Sequence, residues 1–280
     1  MGRTYKATGI NLKGMPMGET DRLLTILTPE LGLMRVVAPG ARKHQSRLGG
    51  RSGLFVVNEL LIVKGKRLDK LVQAETLRSF PGLSQHLGRL TASQYLAEIA
   101  LFQALSDQEQ QALFLLLIEH LGRIETSTNT TLMPCLVHGV YHLLALAGLA
   151  PEVHHCCLTR EPLRPSLADA NWQVGFSAEV GGLFKLDVGL VPQSAPGRQQ
   201  VTVISAMEVA LLQQLSQSEL ITTAPIGLNN LSVGEVGNRS TPKSLEIWAR
   251  IERLLRQYAQ SHFDRPIRSS ALMDSVGVSL

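Results

Sequence analysis

"RLLTILTPELGLMRVVA", residues 22–38, is the stretch that decides the fold of the first part of the chain. Two apolar runs flank a "PELG" segment, in which Pro29 occupies the second position of a turn and Gly32 its exit. This arrangement is typical of two antiparallel strands joined by a tight turn. The pattern therefore predicts a β-hairpin whose first strand ends at Thr28.

Three similar runs surround this hairpin. "YKATGINLK" (5–13) precedes it, and "LFVVNELLIV" (54–63) and "LDKLVQAETL" (68–77) follow it, with a "KGKR" turn between the last two. Five strand-like runs with long connections in about 80 residues are typical of a small closed or nearly closed β-barrel. The OB-fold is the leading candidate for residues 1–80.

Helical periodicity replaces this pattern from Leu83 onward. It runs through "LSQHLGRLTASQYLAEIALFQAL", "SDQEQQALFLLLIEHLGRIE" and "TLMPCLVHGVYHLLALAGL", and it returns in a final amphipathic helix, "SLEIWARIERLLRQYAQSHF". Ser106 with Glu109, and Ser205 with Glu208, have the spacing of a capping box and predict two helix starts. Between 151 and 203, two strand-like runs, "WQVGFS" and "GGLFKL", interrupt a segment rich in Pro, Gly and Ser, and 221–242 is predicted to be a loop-rich connection.

Charge is distributed unevenly along the 280 residues. The first 80 hold 14 Lys and Arg against 6 Asp and Glu, whereas the remainder holds 13 against 17. Such asymmetry favours a polyanionic partner for the first third, either nucleic acid or an anionic membrane surface. The longest apolar runs fall well short of the roughly 20 residues that span a bilayer. Because no secretory signal is recognisable and three cysteines make no disulfide framework, we expect a cytoplasmic protein.

The densest cluster of cations lies between Glu30 and Glu59, where the sequence contains no carboxylate. Cations without acidic neighbours repel one another unless an anion is present, and phosphates are the obvious neutralising partner. An ordinary solvated loop is the plainer alternative. With the following "KGKR" turn included, the residues predicted to contact phosphates are Arg35, Arg42, Lys43, Arg47, Arg51, Lys64, Lys66 and Arg67.

Aromatic residues are scarce in this basic region, where Tyr5, Phe55 and Phe80 are the three present. Many proteins that bind single strands stack bases on aromatic rings. We therefore expect contacts with the sugar-phosphate backbone to dominate, with weak sequence preference and steep salt dependence.

Metal binding and covalent catalysis find little support in the sequence. "HHCC" at 154–157 supplies half of a structural zinc site, which needs two ligand pairs. His138 and His142 have the spacing of the HExxH metalloprotease pattern, but Gly139 stands where the glutamate would be. Neither a phosphate-binding Gly-rich loop nor a nucleophile elbow is recognisable, so neither enzymatic activity nor a cofactor is predicted. A stripe of arginines on the last helix is interpreted mainly as a solvated face, with a nucleic-acid path or an acidic partner as alternatives: Arg250, Arg253 and Arg256.

Several segments in a fixed order resemble the bacterial recombinational repair family RecO. They are "GETDRLLTILTPELGLMRVVAPGARK" (18–43), "SRLGG", "AETLRSFPGL" (74–83), "FSAEVGGLF" (176–184) and the C-terminal "LRQYAQSHF" with "RPIRS". The resemblance implies an N-terminal OB-fold, a helical remainder and no nucleotide hydrolysis. It also implies binding of single- and double-stranded DNA, annealing of complementary strands, and contacts with RecR and with the C-terminal tail of the single-strand-binding protein SSB, which together help to load RecA on gapped DNA.

One departure from the family pattern concerns zinc. Many members carry two CxxC pairs, and here Cys156 fits the first position, whereas Thr159, Lys185 and Val188 stand at the other three. The zinc is therefore not carried over. Whether His154, His155 or Cys157 supports a weaker site is left open.

The sequence thus predicts an α+β multidomain protein: an N-terminal OB-fold β-barrel, then a mostly α-helical domain with a degenerate zinc-ribbon-like insertion. The expected boundaries are 1–80 for the barrel, 81–150 for a helical body, 151–203 for the insertion, and 204–280 for a C-terminal helical part that packs on the body. The alternative to DNA binding is a protein-interaction scaffold, whose basic face would bind the acidic tail of a partner.

Overall fold

A computed structural model describes residues 3–186, 201–219 and 241–276. The chain divides into two compact units. The first comprises Met1–Thr126 together with Arg268–Leu280, and the second comprises Ser127–Ile267. The four-part division expected from the sequence stays a prediction.

Five strands of the first unit form a closed barrel in the order β1-β2-β3-β5-β4. All neighbouring pairs are antiparallel except β3 and β5. This is the predicted OB-like barrel, and the hairpin that decides it is confirmed, because Thr28 pairs with Gly32 across the turn. The strands are β1 (Thr4–Met17), β2 (Asp21–Thr28), β3 (Gly32–Ala38), β4 (Val57–Val63) and β5 (Asp69–Arg78).

Alternation of side chains separates the inside of the barrel from its outside. Leu24 and Ile26 of β2 and Val36 of β3 are fully buried in the barrel core. Their neighbours along the strands, among them Thr25 and Arg35, point outward because successive side chains of a strand face opposite sides. The other buried residues of the core cluster are Ala7, Ala38, Ala41, Leu60, Ile62, Leu71 and Ala74.

The helices of the first unit begin differently from the prediction. The run that starts at Leu83 forms two helices instead of one, because His86 is extended between them. The predicted start at Ser106 is wrong, since Ser106 forms a β-bridge with Gly32 and Asp107 has a positive φ of 57°. The helices are α1 (Pro81–Ser84), α2 (Leu87–Gln103), α3 (Gln111–Thr126) and, near the C-terminus, α7 (Ser270–Val276).

The turn of the hairpin is joined to the segment between α2 and α3. Leu33 N–H donates to the carbonyl of Leu105 at 2.8 Å, and Asp107 N–H donates to the carbonyl of Leu31 at 3.0 Å. A Cβ added to Gly32 would lie 2.1 Å from the Leu105 oxygen. The close approach of the two backbones therefore requires glycine at this position.

The second unit combines helices with a small antiparallel sheet of order β7-β6-β8. The predicted capping box is confirmed at Ser205, whose N–H donates to Glu208 Oε2 at 2.8 Å. The two predicted short strands are also present. The elements are α4 (Leu132–Leu146), β6 (Gln173–Ser177), β7 (Gly182–Phe184), β8 (Thr202–Ser205), α5 (Ala206–Gln214) and α6 (Thr241–Phe263).

Two expectations about the C-terminal part are affected by these boundaries. The amphipathic helix predicted as the last one is α6, and α7 follows it. The loop-rich connection predicted at 221–242 lies outside the described residues, except for its last two positions, which begin α6. Among the helices that the structure describes, none has the length and apolar character needed to cross a bilayer.

Candidate nucleic-acid interface

The long connection between β3 and β4, residues 39–56, is called the basic loop below. Two buried asparagines of the barrel hold it in place. Asn11 Nδ2 donates to the carbonyls of Arg51 and Gly53 at 2.8 and 2.9 Å, and Asn58 Nδ2 donates to the carbonyl of Arg51 at 2.9 Å. These contacts fix the backbone of the loop at Arg51, so that the Arg51 side chain does not have to serve as an anchor.

The start of the basic loop is tied to the β1–β2 turn. Arg42 donates from its backbone N–H to Thr20 at 2.9 Å and from Nη1 to the carbonyl of Gly18 at 3.0 Å. Gly40 N–H donates to Asp21 Oδ1 at 2.8 Å. This hydrogen bond, with smaller contributions from the Thr20 hydroxyl and from Lys43 and Lys70, holds the pKa of Asp21 below its ordinary value. Basic side chains from the loop and from β5 thus act on the same carboxylate.

A cleft of about 690 Å³ lies beside the second half of the basic loop and is lined by Arg47, Gly50, Arg51 and Thr76. Arg51 Nη1 donates to the carbonyl of Arg47 at 3.3 Å, which holds the guanidinium at the cleft. Within the described residues, neither arginine has a carboxylate at ion-pair distance. The cleft therefore has positive charge that the described part of the chain does not neutralise through an ion pair.

The "KGKR" turn between β4 and β5 forms a separate group of cations. Lys64 Nζ lies 3.8 Å from Asp69 Oδ2, and Lys66 and Arg67 are exposed. The turn follows the end of β4 at Val63, whereas the basic loop ends where β4 begins, at Val57. The length of β4 therefore separates the turn from the end of the basic loop by about 20 Å. The structure therefore brings Arg42, Lys43, Arg47 and Arg51 together on one loop and places the turn apart from the second half of that loop.

Arg35 occupies a third position, on the outer face of β3. It is exposed and pairs with Thr25 of β2, which in turn pairs with Lys13 of β1. Lys13 and the equally exposed Lys70 were not among the predicted contacts. The two-residue period of β1 and β5 carries the signal for both, but the register that sets Lys13 beside Thr25 and Lys70 beside Val37 comes from the strand pairing.

The aromatic residues of the barrel offer little ring surface for stacking on bases. Phe55 and Phe80 are 2% and 6% exposed. The Arg78 guanidinium lies 4.5 Å from the centre of the Phe80 ring. Tyr5 packs against the barrel core and donates to Asp69 Oδ2 at 2.5 Å. These positions agree with the expectation that aromatic stacking contributes little.

The insertion, residues 151–203, is where a zinc ion would have to bind, and the surroundings of Cys156 show whether the residues present fit one. Cys156 is fully buried, and its Sγ accepts N–H bonds from Thr159 at 3.5 Å and Lys185 at 3.3 Å. Burial opposes ionisation of the thiol, but these hydrogen bonds outweigh it and lower the pKa of Cys156. The thiol of Cys156 therefore ionises more readily than an ordinary cysteine thiol.

The remaining positions do not complete a zinc site. The Lys185 ammonium forms an ion pair with Glu161, so a positive charge stands where a ligand would have to bind a cation. Val188 lies outside the described residues. Among the described residues, the ligand atoms of Cys156, Cys157, His154 and His155 form no group of three close enough to share an ion. The residues of the insertion therefore do not fit the four-ligand zinc module.

The two histidines of α4 make hydrogen bonds to the end of α5. Nε2 of His138 lies 2.9 Å from the carbonyl oxygen of Gln217, and Nε2 of His142 lies 2.9 Å from that of Leu215. Because a carbonyl oxygen only accepts, each Nε2 carries the proton in these bonds. The histidines therefore help to position the segment that follows α5.

Two arginines of the α6 stripe are exposed, in agreement with the prediction of a solvated face: Arg250 and Arg253. Arg250 Nε lies 3.1 Å from Glu208 Oε1, and Arg256 Nη2 lies 3.3 Å from Glu252 Oε2. Both glutamates are buried, and the Arg256 side chain is 12% exposed. Two of the three arginines therefore compensate buried charge within the second unit.

A closed five-stranded barrel followed by a helical region places the chain among OB-fold proteins, a class that binds oligonucleotides and oligosaccharides. Residues 1–80 match the family model "Recombination protein O N terminal", and residues 84–271 match "Recombination protein O C terminal". The chain belongs to the RecO family and has a role in DNA repair and recombination.

Relatives named "DNA repair protein RecO" are similar over nearly their whole length. The protein of Gloeothece citriformis is 51% identical over 286 residues, which cover 99% of this chain and 98% of that protein. The protein of Nostoc sp. strain PCC 7120 is 49% identical, with 98% and 97% covered. The protein of Synechococcus elongatus is 43% identical, with 99% and 97% covered.

Proposed function

We propose that the protein binds DNA through the basic loop and anneals complementary strands without enzymatic turnover. The observation that carries the proposal is a loop of four cations, Arg42, Lys43, Arg47 and Arg51, which is anchored by its backbone. None of the four has a carboxylate at ion-pair distance among the described residues. Phosphates satisfy such a surface, and the counterions they release drive binding that depends steeply on salt.

Annealing follows from neutralisation of two strands at once. Two complementary strands repel each other through their phosphates, and cations on one surface lower this repulsion while leaving the bases free to pair. The eight predicted contacts, with Arg35 on β3 and Lys64, Lys66 and Arg67 at the β4–β5 turn, extend over more than one part of the barrel. Both single- and double-stranded DNA are accordingly proposed ligands.

Family membership supports two protein partners. We propose that RecR and the C-terminal tail of SSB bind this protein, and that together they help to load RecA on gapped DNA. A membrane is not a proposed partner. The scaffold alternative assigns the basic loop to the acidic tail of SSB or of another protein instead of DNA.

A strand-annealing assay tests the proposal. Two complementary oligonucleotides, one carrying a fluorescence donor and the other an acceptor, are mixed with substoichiometric or stoichiometric amounts of protein. Energy transfer between the two labels reports pairing. Wild-type protein is expected to accelerate pairing several-fold at low salt, and the Arg42→Ala, Lys43→Ala variant to lose most of the acceleration. If the wild type does not accelerate pairing but an acidic peptide binds the loop, the scaffold function replaces the proposal.

A further inference from the structure

The outer face of the barrel carries two exposed methionines close to the basic loop. Met15 and Met17 are 45% and 41% exposed, at the end of β1. Met15 pairs with Leu23 of β2, and Leu23 pairs with Val37 of β3. Leu23 alternates with the core residue Leu24 and is half-buried on the outer side of β2, whereas Val37 is 6% exposed and therefore buried. The row is apolar from β1 to β3, and its exposed part is the β1 end with Met15.

Cations lie on both sides of this apolar row, together with the Asp21 carboxylate, which pairs with Met17. The preceding outward row consists of Lys13, Thr25 and Arg35 and lies about 7 Å away, two residues along each strand. On the other side, the Arg42 guanidinium is bonded to the Gly18 carbonyl, in the turn that directly follows Met17. Lys70 of β5 pairs with Val37 at the end of the row. The face formed by these two rows is called the methionine face below.

We propose that the methionine face binds an unpaired DNA strand, with bases lying against Met15 and Met17 and phosphates against the flanking cations. The inference rests on the DNA binding proposed above and assigns the bases a contact of their own. The flexible, polarisable thioether of methionine packs favourably against aromatic rings, and methionine is among the side chains that insert between bases. Since Phe55 and Phe80 are buried, these methionines supply apolar contact where aromatic rings do not.

Charge complementarity selects a nucleic acid strand as the occupant. An apolar protein segment would satisfy the methionines but would leave Lys13, Arg35 and Arg42 without an anion. A DNA duplex would satisfy the cations, but its bases are stacked and do not present their faces. An unpaired strand satisfies both kinds of contact.

The proposed contact has a consequence for annealing. A base that lies against a methionine through its face keeps its Watson–Crick edge directed away from the protein. The bound strand is therefore available for pairing with a second strand, which the same set of cations draws in. The first strand would thus lie on the methionine face with its pairing edges accessible, and the second strand would pair with it.

The experiment compares two probes of the same length and charge: an oligothymidine and a strand of the same backbone in which every base is missing. Binding to the full-length protein is measured by fluorescence anisotropy at several salt concentrations. The test variant is Met15→Thr, Met17→Thr, which keeps residues suited to a strand. The control variant is Leu115→Gln, which removes a 55% exposed apolar side chain from α3.

Wild-type protein is expected to bind oligothymidine about 3- to 10-fold more tightly than the abasic strand, as a pair of thioether contacts allows. The double methionine variant is expected to lose this difference and to keep the affinity for the abasic strand and the salt slope, whereas the control variant matches the wild type. Unchanged oligothymidine binding by the double variant would overturn the methionine contact while leaving the proposed function intact. Equal losses on both probes would also overturn it. If wild-type protein binds neither probe at low salt, the proposed function fails, and the inference fails with it.

Discussion

The side-chain amide of Asn11 donates a hydrogen bond of 2.8 Å to the backbone carbonyl of Arg51. Asn11 is 1% exposed, so the contact connects the interior of the barrel with the loop that carries the cations. A second bond from the same amide reaches Gly53. The position of the basic loop therefore depends on a polar side chain that does not itself meet the ligand.

Replacement of Asn11 by alanine is expected to lower both stability and DNA affinity. The Gly53 carbonyl would lose its donor, whereas the Arg51 carbonyl would keep the bond from Asn58. We expect a cost of about 1–3 kcal/mol of unfolding free energy and a less firmly held loop. Urea unfolding and anisotropy measure the two effects. The exposed Asn171 of the insertion is the control, and Asn171→Ala is expected to change neither. Unaltered DNA affinity in Asn11→Ala would mean that the anchored backbone is unimportant for binding.

The variant Arg42→Ala, Lys43→Ala is expected to bind all sequences more weakly and to flatten the salt dependence. Loss of two phosphate contacts lowers the slope of log affinity against log salt by about 1.4 for a single strand. Lys6→Ala serves as the control, because Lys6 is paired with Glu59 at 2.9 Å on the same barrel. A loss of affinity confined to one base sequence would contradict contacts with the backbone of DNA.

A comparison of Gly32 with Gly18 distinguishes the cost of backbone strain from the cost of a steric clash. Both have positive φ, 68° and 60°, but a Cβ at Gly32 meets the Leu105 oxygen at 2.1 Å, whereas a Cβ at Gly18 meets nothing within 4 Å. Gly18→Ala is expected to cost about 1–2 kcal/mol, and Gly32→Ala about 3 kcal/mol or more, since the hairpin must move away from Leu105. Thermal and urea unfolding compare the two. Equal costs would show that the approach at Leu105 relaxes freely.

Asp69 makes the barrel sensitive to acid. Burial opposes its ionisation, but hydrogen bonds from the Tyr5 hydroxyl and the Gly65 N–H, together with Lys64, outweigh burial and hold its pKa below the ordinary value. A carboxyl with a lowered pKa contributes stability that is present above about pH 4 and is lost as the pH falls through the folded-state pKa.

Asp69→Asn is therefore expected to be less stable than the wild type at pH 7 and to lose less stability between about pH 4 and pH 2. Urea midpoints across this range measure the difference. Parallel stability profiles for the wild type and the variant would contradict the role assigned to Asp69.

The ion pair of Lys185 and Glu161 is expected to stabilise the insertion without a bound metal ion. Lys185→Met keeps the length of the side chain and removes its charge, so hydrogen exchange should become faster at Cys156 and Leu183, whose N–H groups bond within the insertion. Lys66→Met, in the barrel, is the control. A chelator that unfolds the wild-type insertion would contradict stabilisation without metal.

Local patterns predicted the barrel well, because its strands satisfy short-range rules. The "PELG" turn ends one strand at Thr28 and starts the next at Gly32, and the two-residue period decides which side chains enter the core. The capping box at Ser205 was predicted for the same reason, since Ser205 and Glu208 satisfy each other over three residues.

Long-range contacts account for what the patterns missed. Ser106 has a capping-box partner in Glu109, but its backbone pairs with Gly32, more than 70 residues away, and α3 begins at Gln111 instead. Arg250 is exposed, as its helical spacing predicts, but the spacing does not reveal its ion pair with the buried Glu208 of another helix. Strand pairing places Lys13 and Arg35 in one outward row, on either side of Thr25. The anchoring role of Asn11 depends on contact with Arg51, which lies 40 residues further along the chain.

The central claim is that the basic loop neutralises phosphates, and anisotropy of a labelled single-stranded oligonucleotide, titrated from about 50 to 200 mM salt, tests it most directly. We predict a steep linear fall of log affinity with log salt that is the same for unrelated base sequences. Absence of binding even at the lowest salt would contradict the claim and would assign the cations of the loop to a protein partner.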